Sequence, residues 1–176
     1  MRIAKQAGAI ISYDPNYRAP LWENEHEAAE KIGSILDLVD IIKISDEETR
    51  LITGLTSYEL ASDYLINKGI SCVVVTLGKK GAYAAVNDAS VLVPVPDVSV
   101  VDTTGAGDAF WGGFLYKLAK SSLSHDRLGE TELKEFVTFA NAVASLCVQK
   151  RGGIPAMPDM NSVTDFLSNK YNVSPF

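Results

Sequence analysis

Hydrophobic and polar positions run in blocks along the chain, and the block lengths alternate between those of strands and those of helices. "GAIISYDPN" predicts a buried strand that ends in polar turn residues. In "ENEHEAAEKIGSILDLV", Ala28, Ile32, Ile35, Leu36 and Val39 recur at helical spacing, with acids at the front where the helix dipole favours them. "DIIKIS" predicts a second short strand, and "DEETRLITG" a short helix ended by Gly54. "SYELASDYLINKG" predicts another helix, with Leu60, Tyr64 and Leu65 on one side and Gly69 as its stop. "SCVVVTL" is apolar throughout, as in a strand buried on both faces. "GKKG" then turns the chain into a strand at "AYAAV". "SVLVPVPDVSV" is extended, and Pro94 and Pro96 place it at a sheet edge or between layers. Longer helices are predicted over about 105–119 and 130–149, with a short last one at "NSVTDFLSNK".

Strands alternating with helices predict βαβ units, hence a mainly parallel sheet with helices on both faces. Ligands of such folds sit beyond the carboxyl ends of the strands. "YDPN", "KISDEE", "TLG" and "DTTGAGD" each lie where a predicted strand stops, so four polar strand ends are expected to converge on one crevice. No repeat, low-complexity tract or linker interrupts the chain, and 176 residues are enough for one domain with a core.

The formal net charge of −6 argues against broad nucleic-acid binding, which needs a basic surface. It leaves a nucleotide open, because backbone N–H groups and a few local cations hold phosphates. The two cysteines, Cys72 and Cys147, sit in apolar runs and read as buried thiols in a reducing compartment. No apolar run is long enough to span a bilayer, and "MRIAKQAGAIIS" is too weakly apolar for a signal peptide. A cytoplasmic protein with neither membrane nor nucleic-acid partner is expected.

The chemistry concentrates in "VDTTGAGDAFWGGF". Thr103 or Thr104 is expected to cap a helix whose first turn is Gly105, Ala106 and Gly107. Amides there have no helical acceptor, and without bulky side chains an anion reaches them closely. Asp108 follows in the same turn. An ionised acid beside a phosphate hole suggests a base that takes the proton of an attacking hydroxyl. The residues alone leave open a plain glycine-rich strand-to-helix turn with acidic capping. A dinucleotide fingerprint is disfavoured, because Phe110 stands where the third small residue belongs. No G-x-x-x-x-G-K-[ST] loop occurs.

"DTTGAGDAF" closely resembles the C-terminal signature of the ribokinase-like (PfkB) carbohydrate kinases, which transfer the γ-phosphate of ATP to a sugar hydroxyl. "SYDPNYRAPLW" is similar to the D-P-N-x-R segment of fructokinases and 2-keto-3-deoxygluconate kinases. "VVVTLGKKGA" and "FANAVASLCVQKRGGIPAMP" resemble the family's nucleotide-side turn and its last long helix. The resemblance implies a three-layer α/β/α fold. It makes Asp108 the catalytic base and Gly105, Ala106 and Gly107 the anion hole. Thr76, Gly78 and Gly81 would line the nucleotide site, and Asn141 would approach its adenine end. Asp102, the Thr104 carbonyl and carbonyls from Lys150 to Gly152 would hold a monovalent cation, usually K⁺. Asn16 and Arg18 would meet substrate or phosphate. Glu48 would hold a water of the Mg²⁺ shell. Ser45 stands where the family usually has Asn, which leaves its own role open.

The resemblance also implies that residues 1–176 form roughly the C-terminal, ATP-binding half of a kinase domain, without the N-terminal strands and β lid. Full-length relatives would be homodimers. The expected function is ATP- and Mg²⁺-dependent sugar phosphorylation, with fructose the first acceptor and 2-keto-3-deoxygluconate the second. The alternative of another class is a truncated, catalytically impaired nucleotide-binding fragment.

Overall fold

The computed structural model describes residues 1–121 and 123–171. β-Branched and apolar runs form the strands β1 (Ser12–Tyr13), β2 (Ile41–Ser45), β3 (Cys72–Thr76), β4 (Ala82–Val86) and β5 (Ala89–Val93). They lie in one sheet in the order β1-β2-β3-β4-β5. β1, β2 and β3 run parallel, with Ser12 opposite Ile41 and Ser45 opposite Thr76, as the alternation of strands and helices predicts. The turns joining β3 to β4 and β4 to β5 are far too short for a parallel crossover, so the chain doubles back there. β2 and β3 are buried along four of their five residues each, which accounts for their unbroken apolar sequences. β1 is shorter than "GAIISYDPN" predicts: Ile11 is buried, but Ile10 before it is half exposed.

The chain divides into two compact units. The first comprises Met1–Leu77, Tyr83–Val91 and Ser124–Glu130. Its helices are α1 (Arg2–Gln6), α2 (Glu25–Gly33), α3 (Asp46–Thr53) and α4 (Tyr58–Asn67). Asn24 caps α2 by accepting the Glu27 amide at 2.8 Å, and Ser57 caps α4 through the Leu60 amide. α3 ends at Gly54 in the left-handed conformation, as expected. α4 packs on β3, and Ile42, Ile44, Leu65, Ile70, Val73 and Val75 form the core between helices and sheet.

Two helical expectations change. The pattern from Glu23 to Val39 predicts one helix, but α2 stops at Gly33 and Leu36–Leu38 form a separate 3₁₀ turn. Glycine and serine are weak helix formers, and the Ser34 hydroxyl donates to the Lys31 carbonyl at 2.7 Å. Leu36 and Val39 are still buried. In α4 the inward face is Ala61, Ser62 and Leu65, while Leu60 and Tyr64 are exposed. The small Ala61 and Ser62 let α4 approach the sheet closely, and the Ser62 hydroxyl is satisfied by the Tyr58 carbonyl at 2.8 Å.

The second unit comprises, among the described residues, those of 78–82, 92–123 and 131–171. Its helices are α5 (Ala106–Lys120), α6 (Glu130–Cys147) and α7 (Met160–Tyr171). On α5, Trp111 stacks on Phe114, whose ring meets Phe136 of α6 edge-on at 5.8 Å. Phe139, Val163, Phe166 and Leu167 join α6 to α7. Cys72 and Cys147 are free and buried, and burial pushes the Cys72 thiol up to about 12. Among the described residues, no helix is long and apolar enough to cross a membrane.

Candidate functional site

In the second unit, the turn before α5 is held by Asp102 rather than by a threonine cap. Asp102 Oδ1 accepts the Thr104 amide and Oδ2 accepts the Gly152 amide, each at 2.9 Å. These two amides, the Thr104 hydroxyl and nearby Arg151 hold the Asp102 carboxyl down at about 2. The expected cap at Thr103 or Thr104 is corrected: Gly105 is the N-cap, in the left-handed conformation with φ 78°, and α5 starts at Ala106. The reason is close packing. A Cβ on Gly105 would lie 2.9 Å from the Gly153 Cα, so the turn must present bare backbone there.

Ala106, Gly107 and Asp108 form the first turn of α5, where amides lack an intrahelical acceptor. The Asp108 side chain is exposed to solvent. The Ala106 amide is taken by the Thr103 carbonyl at 3.1 Å, so a turn of small residues and an exposed carboxylate stand side by side on one helix start.

Asp102 also brings Thr104 and Gly152 together. Among the described residues, no three His, Cys, Asp or Glu side chains gather to hold a metal. The donor set here is of another kind: a carboxylate whose oxygens keep further lone pairs, next to backbone carbonyls. Oxygen donors of this type suit a hard cation. The Thr104 carbonyl receives a long contact of 3.9 Å from the Cys147 thiol. That thiol is raised by burial and by the nearby charges of Asp102 and Asp108.

Gly81 and Asn141, both expected on the nucleotide side, meet at the Val93 carbonyl. A Cβ on Gly81 (φ 102°) would lie 2.0 Å from that oxygen. Asn141, buried in α6, donates its amide to the same oxygen at 3.1 Å. Asn141 also hydrogen-bonds Tyr171, whose hydroxyl donates to the Pro94 carbonyl at 3.3 Å. Burial pushes that phenol up to about 12, with Asn141 opposing the shift. Asn141 therefore anchors the end of β5, a tie between distant residues that no sequence pattern marks. Gly78 has φ 57° and open space around its Cα.

In the first unit, Ser45 and Thr76 end β2 and β3 side by side. Thr76 reaches the Ile44 carbonyl at 3.4 Å. Ser45 acquires a definite role: it caps α3 in a reciprocal capping box with Glu48. Glu48 is buried, and its two oxygens accept the Ser45 amide at 2.7 Å and the Tyr17 amide at 2.6 Å. Glu48 thereby ties the "DPNYR" segment to α3. In that segment Asn16 adopts φ 47°, and its amide binds Asp14 Oδ1 at 3.1 Å. Arg18 is exposed and donates to the neighbouring Tyr17 carbonyl at 3.0 Å. Buried Lys43 pairs with Asp14 Oδ2 at 3.0 Å. Sequence reasoning missed this pair; its one signal is a lysine inside the apolar run of β2.

Solved structures superpose on nearly the whole chain. A double mutant of the fructokinase from Vibrio cholerae O395, crystallised with fructose, ADP and potassium ion, matches with a TM-score of 0.84 and 34% identity over 93% of this chain and 52% of that one. The ATP-bound fructokinase from Xylella fastidiosa matches with a TM-score of 0.85 and 30% identity over 96% of this chain and 54% of that one. The fold is therefore of the ribokinase-like three-layer α/β/α class. The pfkB family carbohydrate kinase model matches residues 1–160, and the chain belongs to that family. It is 42% identical over 173 residues to probable fructokinase-7 of Arabidopsis thaliana, covering 96% of this chain and 50% of that protein. It is 41% identical over 174 residues to fructokinase-2 of Oryza sativa subsp. japonica, covering 98% of this chain and 51% of that protein. The chain spans about half the length of the curated relatives it matches.

Proposed function

We propose that the protein transfers the γ-phosphate of ATP to a sugar hydroxyl, with fructose the first acceptor and 2-keto-3-deoxygluconate the second. The observation that carries this reading is the start of α5. There the exposed Asp108 follows directly on a left-handed glycine and two small residues at the start of the helix. Asp108 takes the proton of the attacking hydroxyl, while the Gly105, Ala106 and Gly107 backbone binds the transferring phosphoryl oxygens. Asn16 and Arg18 orient substrate or phosphate, Arg18 through its planar fork. Thr76, Gly78, Gly81 and Asn141 shape the nucleotide side. Glu48 would hold a water of Mg²⁺, and Asp102 with the Thr104 and Gly152 backbone would hold K⁺. These cations supply charge neutralisation at the phosphates when bound. Family membership and the fructokinase relatives support the reading, and the free, buried thiols of Cys72 and Cys147 fit a cytoplasmic setting.

ADP release measured over a sugar panel tests it: fructose should give the highest turnover, and Asp108→Asn should abolish it. A second reading is a nucleotide-binding unit without turnover of its own. It predicts ATP binding that Asp108→Asn leaves intact, with no ADP release on any sugar.

A further inference from the structure

We infer that Lys43 is a positioning residue that fixes the Asn16–Arg18 segment for substrate, and this rests on the kinase reading above. Lys43 lies in β2 between Ile42 and Ile44, and its side chain is only 7% exposed. An ammonium is costly to bury, and an apolar residue there would serve stability as well or better. Its partner explains the charge. Asp14 stands just beyond the end of β1, with its two oxygens divided between two tasks. Oδ2 takes the Lys43 ammonium at 3.0 Å, and Oδ1 takes the Asn16 amide at 3.1 Å.

The second bond closes a turn around Pro15 and holds Asn16 at φ 47°, a conformation that is strained for most residues and tolerated by Asn. The next amide, Tyr17, is held by the buried Glu48 carboxylate at 2.6 Å. Asp14, paired with buried Lys43 of β2, and buried Glu48 of α3 thus accept consecutive amides of one segment, and Asn16 and Arg18 project from it into solvent. The Asp14 side chain is 15% exposed, and the Lys43 ammonium and the Asn16 amide together orient its carboxylate. Lys43 selects the single orientation in which Oδ1 meets the Asn16 amide.

The test uses the full chain with Lys43→Met, Lys43→Arg and the double variant Lys43→Met/Asp14→Asn. The double variant leaves no buried charge unpaired and keeps a carbonyl for the Asn16 amide, so it guards against a variant that simply misfolds. Two readouts are compared: amide exchange at Asn16 and Tyr17, and KM for sugar against KM for ATP. The inference expects faster exchange at Asn16 and a rise of about tenfold to a hundredfold in sugar KM for Lys43→Met and the double variant. ATP KM and the unfolding midpoint of the double variant stay unchanged, and Lys43→Arg restores most of the loss. Wild-type exchange and wild-type sugar KM in the double variant would overturn it. So would a loss spread equally over both substrates without rescue by Arg. Absence of ADP release from the unmutated chain would instead sink the kinase reading, and the exchange data alone would then decide the role of Lys43.

Discussion

Gly105 and Gly153 meet backbone to backbone, so that a Cβ on Gly105 would stand 2.9 Å from the Gly153 Cα. The turn before α5 is thereby seated on the loop whose Gly152 amide binds Asp102. Gly105→Ala adds a methyl into this contact and strains a left-handed residue. The expected cost is about 3 kcal/mol, read from the denaturant midpoint. ADP release should fall even where the variant folds, because the first turn of α5 must shift to admit the methyl.

Asp108 is exposed and forms no part of the core. Asp108→Asn should therefore leave the unfolding midpoint and the ATP affinity unchanged. Turnover should fall by about 10²- to 10⁴-fold, the usual effect of removing a general base. A variant that keeps wild-type ADP release would remove Asp108 from the reaction.

Asp102 titrates at about 2 instead of its ordinary 3.8, because the folded chain hydrogen-bonds its ionised form. Its folded value is depressed, so its contribution to stability is fully present above pH 3.8 and is lost as pH falls through about 2. Carboxylate NMR across this acid range should give a midpoint near the lower value, and the Thr104 and Gly152 amide shifts should move with it. A midpoint near 3.8 would break the link between this carboxylate and the two amides.

Gly81 faces the Val93 carbonyl so closely that a Cβ would stand 2.0 Å from the oxygen. Gly81→Ala should cost roughly 3 kcal/mol or more, combining overpacking with a strained positive φ. Gly78→Ala meets nothing within 4 Å and carries only the strain of φ 57°. Its loss should be smaller, at roughly 1 kcal/mol. Chemical denaturation of the two variants side by side separates packing from strain.

Ser45 caps α3 through the Glu48 amide at 3.2 Å. Ser45→Ala should cost about 1 kcal/mol, and Ser45→Asn, which restores a capping oxygen, should recover most of it. Equal stability of all three forms would mean that Glu48 alone holds the start of the helix.

Local sequence carried much of this fold. β2 and β3 were legible as continuous apolar runs, and α3 by its acidic start and terminal Gly54. Periodicity misjudged α4, because hydrophobicity ranked Leu60 and Tyr64 above Ala61 and Ser62 while the sheet needed small residues at the contact. It also ran one helix through Gly33 and Ser34, since the burial of Leu36 and Val39 fits a 3₁₀ turn as well as a helix. At the candidate site, the position of Asp108 in the first turn of α5 could be read directly, because an acid after small residues at a helix start is a local pattern.

The sequence by itself determined the alternation of strands and helices, the polar strand ends, the bare turn before Asp108 and the resemblance to a carbohydrate kinase. Each depends on residues close together in the chain, where spacing and residue type suffice. Only the tertiary structure decided that Gly105 rather than a threonine caps α5. It also decided that Glu48 grips Tyr17, that Asn141 and Gly81 share the Val93 carbonyl, and that Lys43 is paired with Asp14. Those facts depend on partners up to dozens of residues away, whose approach is set by the packing of whole elements and leaves no local periodicity to read.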